Sequence, residues 1–161
     1  MSQRKEQAQL IEEIGLGIEE RLRLSPLASR IYALLILSSY DGLTFEEIKE
    51  EIQATKSSTS VNINVLIQLN YISYYTKPGD RKRYFRLAKY SSLIALEADH
   101  QAIDNEMAII ERINTFNKKY HPEKFTNEQT LGHIFQDYLV EKQELVDRVI
   151  KKMRSFRESE K

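Results

Sequence analysis

No cysteine occurs in the 161 residues, and this absence removes disulfides, thiolate metal sites and cysteine redox chemistry together. It fits a cytoplasmic setting. Glycine (5) and proline (3) are scarce, so turn signals are few and the composition is that of a helix-rich protein whose breaks are easy to place. No apolar run approaches a membrane span, and Met1 to Gln9 is polar where a leader needs a hydrophobic stretch. Nor is one sign of charge in excess. Lys plus Arg (24) balances Asp plus Glu (24), so any nucleic-acid contact has to come from local positive charge. The three histidines, His100, His121 and His133, lack the spacing of metal ligands. Gly15-Leu16-Gly17 falls inside a helical pattern, where a phosphate cradle would need a strand before it. No nucleophile motif is present, so the expectation is a protein without catalytic residues, metal or cofactor.

What is present is a series of capped helices and one hairpin. Ala8, Ile11, Ile14, Ile18 and Leu22 recur at steps of three and four, which predicts an amphipathic helix from Gln3 to Leu24, locally weakened by Gly15 and Gly17. Ser25-Pro26 opens a second helix to about Ser39, and its segment Ile31 to Leu37 is apolar almost all round, as in a buried central helix. Thr44 with Glu47 has the spacing of a capping box and starts a short helix to about Gln53. After Ala54 the next helix starts on Thr55 as its N-cap and runs to Leu69, with core side chains Ile63, Leu66 and Leu69 and with Asn70 left-handed at its end. Two short helices across a tight turn are a helix-turn-helix. A hairpin follows, with strands at Tyr71 to Thr76 and Tyr84 to Leu87 and the turn Lys77-Pro78-Gly79-Asp80-Arg81-Lys82-Arg83 between them. The rest is helical: Leu93, Leu96, His100, Ile103, Met107 and Ile110 form one stripe, Pro122 breaks the chain, and a last helix starts around Thr126. Along it Phe135, Leu139, Lys142, Val146, Val149, Met153 and Phe156 alternate at four and three, close to the period of a coiled coil.

Charge and polarity are sorted by element. The helix after Thr55 presents Lys56, Ser57, Ser58, Ser60, Asn62 and Asn64 in its first turns, short polar residues that are poor helix formers but well suited to phosphates and base edges. From Lys77 to Lys89 six cations stand against one acid, Asp80. The helix from Thr44 carries Glu46, Glu47, Glu50 and Glu51 against Lys49 and is expected to point away from phosphate. The aromatic cluster Tyr71, Tyr74, Tyr75, Tyr84 and Phe85 reads better as cross-strand packing than as a cage or a stacking platform.

Three segments in order, Leu24-Ser-Pro-Leu-Ala-Ser-Arg-Ile-Tyr-Ala-Leu-Leu35, Thr55-Lys-Ser-Ser58 and Pro78-Gly-Asp-Arg81, resemble the glycine-betaine-synthesis-repressor branch of the MarR superfamily over residues 10–90. The resemblance implies a mainly α fold with a small β-hairpin: a dimerisation helix at 1–24, a winged helix-turn-helix DNA-binding domain at 25–90 and a helical dimerisation region at 91–161. It implies a homodimer on double-stranded DNA, with Lys56, Ser57, Ser58 and Ser60 at the DNA-facing helix start and Arg81 at the wing tip. Thr55, Asn62, Asn64, Lys77, Lys82 and Arg83 join that set on charge and position. Ile11, Ile14 and Ile18 at one end, with Phe135, Leu139, Val146, Val149 and Met153 at the other, are the expected dimer contacts. Ser57 and Asn70 stand where the family often has glycine. The expected function is transcriptional regulation, most simply repression at a palindromic operator; the alternative is a protein-binding module that keeps the winged fold without DNA. With cysteine oxidation excluded, the trigger left is a small-molecule effector, a change in ionic conditions, or none.

Overall fold

A computed structural model describes residues 3–125 and 131–160, and the chain divides into two units, Met1–Ser91 and Ser92–Lys161. In the first unit helix α1 (Gln3–Leu22) ends at Arg23, whose left-handed φ of 57° turns the chain into Leu24 and Ser25. Helix α2 (Pro26–Ile36) starts as its sequence demands: the Ser25 hydroxyl accepts from the Ala28 amide at 3.1 Å, and Pro26 occupies a position whose N–H would have no partner. Ala28, Ile31, Ala33, Leu34 and Leu35 are all buried, so α2 is the centre of the unit. Each fully buried Ile or Leu here contributes about 1.5–3 kcal/mol of transfer free energy.

Around α2 pack the other elements. Ile11 is buried and Ile14, Ile18 and Leu22 lie against the same core, so the apolar stripe of α1 is used within the protomer. Gly15 permits this approach, because a Cβ there would stand 3.1 Å from the Arg30 side chain. Strand β1 (Leu43–Thr44), helix α3 (Phe45–Ile52) and helix α4 (Lys56–Gln68) follow. The capping box forms as read: Thr44 N–H donates to the Glu47 carboxylate at 2.7 Å and Glu47 N–H to the Thr44 hydroxyl at 3.3 Å. Gln53 takes a left-handed φ of 54° in the turn between α3 and α4, and Asn70 closes α4 at 59°. The inner side of α4 is Thr59, Ile63 and Leu66. Leu69, expected in the core, is 45% exposed, because it is the cap residue where the helix path ends.

Strands β2 (Ile72–Thr76) and β3 (Arg83–Leu87) form the hairpin, and β1 adds a third strand in the order β1-β3-β2, all antiparallel. A two-residue strand carries no period that sequence could reveal. Its entry depends on Gly42, at φ +74°, where a Cβ would lie 2.1 Å from the Phe85 carbonyl oxygen.

The second unit is a helical hairpin of α5 (Ser91–Tyr120), a 3-10 turn at Pro122–Phe125 and α6 (Leu131–Ser159). The expected start of the last helix at Thr126 lies outside the described residues. Arg154 donates to Glu97 at 2.7 Å and Gln143 donates to Asp104, which makes the two helices antiparallel. On α5, Leu93 and Ile103 are buried, while Leu96, His100, Met107 and Ile110 are half-buried on the same stripe. On α6 the buried seam is Leu139, Val146 and Ile150, with Gln143 and Met153 half-buried along it. The seam is therefore rotated from the one read in the sequence. Leu139, Val146 and Met153 are common to both, but Phe135 and Phe156 are exposed and Val149 is only half-buried. A repeat of 3.5 admits two neighbouring seams, and the one used buries Ile150 and gives Gln143 its carboxylate partner.

Candidate nucleic-acid interface

Helix α4 begins on Thr55, whose hydroxyl accepts from the Ser58 amide at 3.2 Å while Thr59 Oγ1 donates to the Thr55 carbonyl at 2.8 Å. These bonds fix the first turn and send its side chains outward. Lys56, Ser57, Ser58, Ser60 and Asn64 are exposed, as the sequence predicts. Asn62 differs: it is half-buried, accepts from the Ser25 hydroxyl at 2.6 Å and donates to the Ser58 carbonyl at 2.8 Å. Two exposed side chains of α4, Val61 and Gln68, escape a sequence search for polar clusters. Only the helical position of Val61 next to Ser60, four residues from Ser57 and three from Asn64, could have found it.

The hairpin holds its cations in two ways. On one face Lys77 Nζ lies 4.2 Å from the Tyr84 ring centre, Tyr84 lies 5.8 Å from Tyr75, and Arg86 Cζ lies 4.4 Å from the Tyr75 ring. Lys77 also stands 3.7 Å from Asp41, whose carbonyl accepts from the Tyr75 hydroxyl. On the other face Arg83 Cζ lies 4.7 Å from the Tyr74 ring. The register explains the pairs: Ser73 faces Arg86 and Thr76 faces Arg83, so each arginine reaches diagonally to a tyrosine on its own face. Tyr74, Tyr75, Tyr84 and Phe85 are thus cross-strand packing, while Tyr71 packs on Tyr32 of α2. The cross-strand rings also engage Lys77 and Arg83, which the sequence reading counted among the DNA contacts.

At the tip the geometry is set by Asp80. Gly79, at φ +81°, lets the Asp80 amide donate back to the Lys77 carbonyl at 3.0 Å. The Asp80 carboxylate accepts from the Lys82 amide at 2.9 Å and from the Tyr84 hydroxyl at 2.7 Å. These two bonds, led by the Lys82 amide, hold the Asp80 carboxyl below its ordinary value of 3.8, and the same carboxylate raises the Tyr84 phenol above 10.0. Among the described residues, Arg81 makes no hydrogen bond, ion pair or ring contact, and the Lys82 side chain is exposed. Ser60 and Asn64 of α4 and Lys82 and Arg83 of the hairpin line one groove, so the polar helix start and the basic hairpin adjoin.

The acidic helix is divided. Glu50 and Glu51 line a cleft with Arg4 and Gln7 of α1, away from the hairpin, as expected. Glu46 and Glu47 do not follow them: Glu46 lines the groove with Lys82, and the Glu47 carboxyl, held below 4.5 chiefly by the Thr44 amide, also feels Lys82 and Lys77. The capping box is the cause, since it ties the first turn of α3 to β1 and hence to the sheet.

Residues 29–88 match the family model described as a winged helix DNA-binding domain. That stretch is a winged helix. Over 79 residues the chain is 32% identical to the HTH-type transcriptional regulator MmpR5 of Mycobacterium tuberculosis, a match covering 49% of this chain and 47% of that protein. It thus covers about half the length of that relative. A crystal structure described as a transcriptional regulator superimposes with a TM-score of 0.62 at 20% identity, over 93% of this chain and 99% of that one. At that identity the likeness is one of fold, and it extends the winged helix to the flanking helices. Within this fold α4 is the second helix of the helix-turn-helix and β2-β3 is the wing. Among the described residues, no helix is long and apolar enough to cross a membrane.

Proposed function

We propose that the chain is a MarR-type transcription regulator, on the glycine-betaine-synthesis-repressor branch, which binds double-stranded DNA as a homodimer in the cytoplasm. The observation that carries this reading is the shared groove: Ser60 and Asn64 of the recognition helix adjoin Lys82 and Arg83 of the wing. The helix start enters the major groove, where Ser57, Ser60 and Asn64 meet base edges and phosphates and Val61 offers an apolar contact for a thymine methyl. The wing follows the backbone, led by Arg81. The two recognition helices of a dimer lie about one turn of DNA apart, roughly 34–36 Å, which makes the operator an imperfect palindrome and occupancy a block to transcription.

Pairing of two copies is supported by the second unit. Ile109, Ile113, Phe116 and Tyr120 are all more than half exposed and form one stripe of α5, and Phe135 and Tyr138 on α6 are exposed as well. Apolar stripes of this kind mark interaction surfaces. A small-molecule effector remains one of the triggers open to such a regulator.

Salt dependence tests the reading. Lys77 and Arg83 lie over rings, so the phosphate contacts reduce to Lys56, Arg81 and Lys82, six in a dimer, and the logarithm of duplex affinity should fall with that of salt at a slope of roughly −5. A slope near zero, or no duplex binding, would leave the protein-binding alternative.

A further inference from the structure

Two asparagines of the recognition helix, two residues apart, have opposite surroundings. Asn64 is exposed and its side-chain amide makes no hydrogen bond among the described residues. Asn62 is half-buried, and both ends of its amide are engaged: the oxygen accepts from the Ser25 hydroxyl at 2.6 Å and the nitrogen donates to the Ser58 carbonyl one turn back at 2.8 Å. Asparagine reads adenine by turning both ends of the amide to the base. Asn62 has them turned to protein.

Its partner is not an incidental surface hydroxyl. Ser25 Oγ accepts from the Ala28 amide as the N-cap of α2 while it donates to Asn62, so one oxygen closes the start of α2 and grips α4. The same turn of α2 is tied to α1: the Arg30 guanidinium donates to the Pro26 carbonyl at 3.0 Å, bonds Glu12 at 2.8 Å and stands 3.6 Å from Glu19. Glu12, Arg30, Pro26, Ser25, Asn62 and Ser58 thus connect α1 to the first turns of the recognition helix through consecutive polar contacts and short stretches of backbone.

We propose that Asn62 is a positioning residue of the DNA interface and reads no base: with Ser25 it seats the recognition helix on the α2 turn that Arg30 fastens to α1. The inference rests on the DNA-binding reading and deepens it. It divides the polar start of α4 into a seating side, Ser58 and Asn62, and a reading side, Ser57, Ser60 and Asn64.

The test uses full-length protein and a random duplex pool, from which base preferences are selected for wild type, Asn62→Ala, Ser25→Ala, the double variant, Ser25→Thr and Asn64→Ala. Seating predicts that Asn62→Ala and Ser25→Ala each weaken binding roughly fivefold, the scale of one lost hydrogen bond, on all selected sequences alike and with base preferences unchanged. The double variant should bind no worse than the weaker single variant, because both remove one interaction. Ser25→Thr, which keeps the hydroxyl, should bind as wild type does, and Asn64→Ala should relax the preference at a defined position. Ser25→Ala also removes a helix cap; if it fails to fold, Asn62→Ala alone decides. A changed preference in Asn62→Ala, no effect of it at all, or losses that multiply in the double variant would each overturn the inference while the DNA reading stands. Failure of wild type to bind any duplex would instead overturn the DNA reading and take this inference with it.

Discussion

The strands of the wing and its tip are both basic, yet they hold their charges by different means. Along the strands each cation is matched to a ring: Arg83 to Tyr74, Arg86 to Tyr75, and Lys77 at the strand end to Tyr84. At the tip no ring among the described residues is near enough, and the backbone is shaped instead by one carboxylate, Asp80, through the Lys82 amide and the Tyr84 hydroxyl. A cation over a ring already has part of its electrostatic need met within the protein, whereas Arg81 has no such partner among the described residues. The number of basic residues in a segment therefore overstates its capacity for phosphate. What matters is how many of them the fold leaves uncommitted.

The largest expected effect follows from that difference. Replacing Arg81 and Lys82 together by alanine should bring the salt slope of duplex binding from roughly −5 to roughly −2, since each lost phosphate contact removes about 0.9 and a dimer loses four. Arg83→Ala should leave the slope nearly unchanged while lowering stability by about 0.5–1 kcal/mol, the scale of an exposed cation–ring contact. Salt titrations of both variants, with thermal melts, would decide; equal slope changes would erase the distinction between strand and tip.

A smaller effect with an informative sign is expected at Asp80. On charge alone, Asp80→Ala makes the wing more positive and should tighten binding. If the carboxylate instead holds the tip in shape, the variant should bind on the order of fivefold more weakly, because two hydrogen bonds that order the loop before DNA arrives are gone. Duplex affinity at fixed salt separates the two by direction, and tighter binding would mean that the tip needs no shaping.

Much of this was legible in the sequence because the signals were local. The Thr44 capping box, the Thr55 cap, the left-handed Asn70 and the basic turn at Pro78-Gly79 are each set by residues within a few positions. The α5 stripe from Leu93 to Ile110 was equally plain, its period being that of one long helix. What escaped depended on partners distant in sequence. Asn62 resembles its neighbours until Ser25, thirty-seven residues earlier, is seen to donate to it. The withdrawal of Lys77 and Arg83 needs the strand register, and the rotated seam of α6 needs α5 beside it. Ile11 likewise reads as an interface residue until α2 is placed against it.

The least disruptive way to probe the difference between strand and tip is acid. Asp80 has its carboxyl held below 3.8 in the folded chain, so its contribution is fully present above that ordinary value and is lost only as pH falls through the depressed one. Glu47, held below 4.5 by its capping box, behaves in the same sense at the foot of the sheet. Both effects act on largely exposed groups, so they should loosen local structure rather than unfold the domain. The Arg83–Tyr74 and Arg86–Tyr75 contacts are cation–ring contacts and contain no carboxylate. Amide shifts followed by NMR from pH 6 downward should therefore show Lys82 moving first, below the ordinary carboxylate range, while the β3 amides of Phe85 and Arg86 stay in place until the sheet itself is lost. If Lys82 and the strand amides moved together along one curve, the tip would have no separate hold, and its carboxylate would be part of the same cooperative structure as the rings.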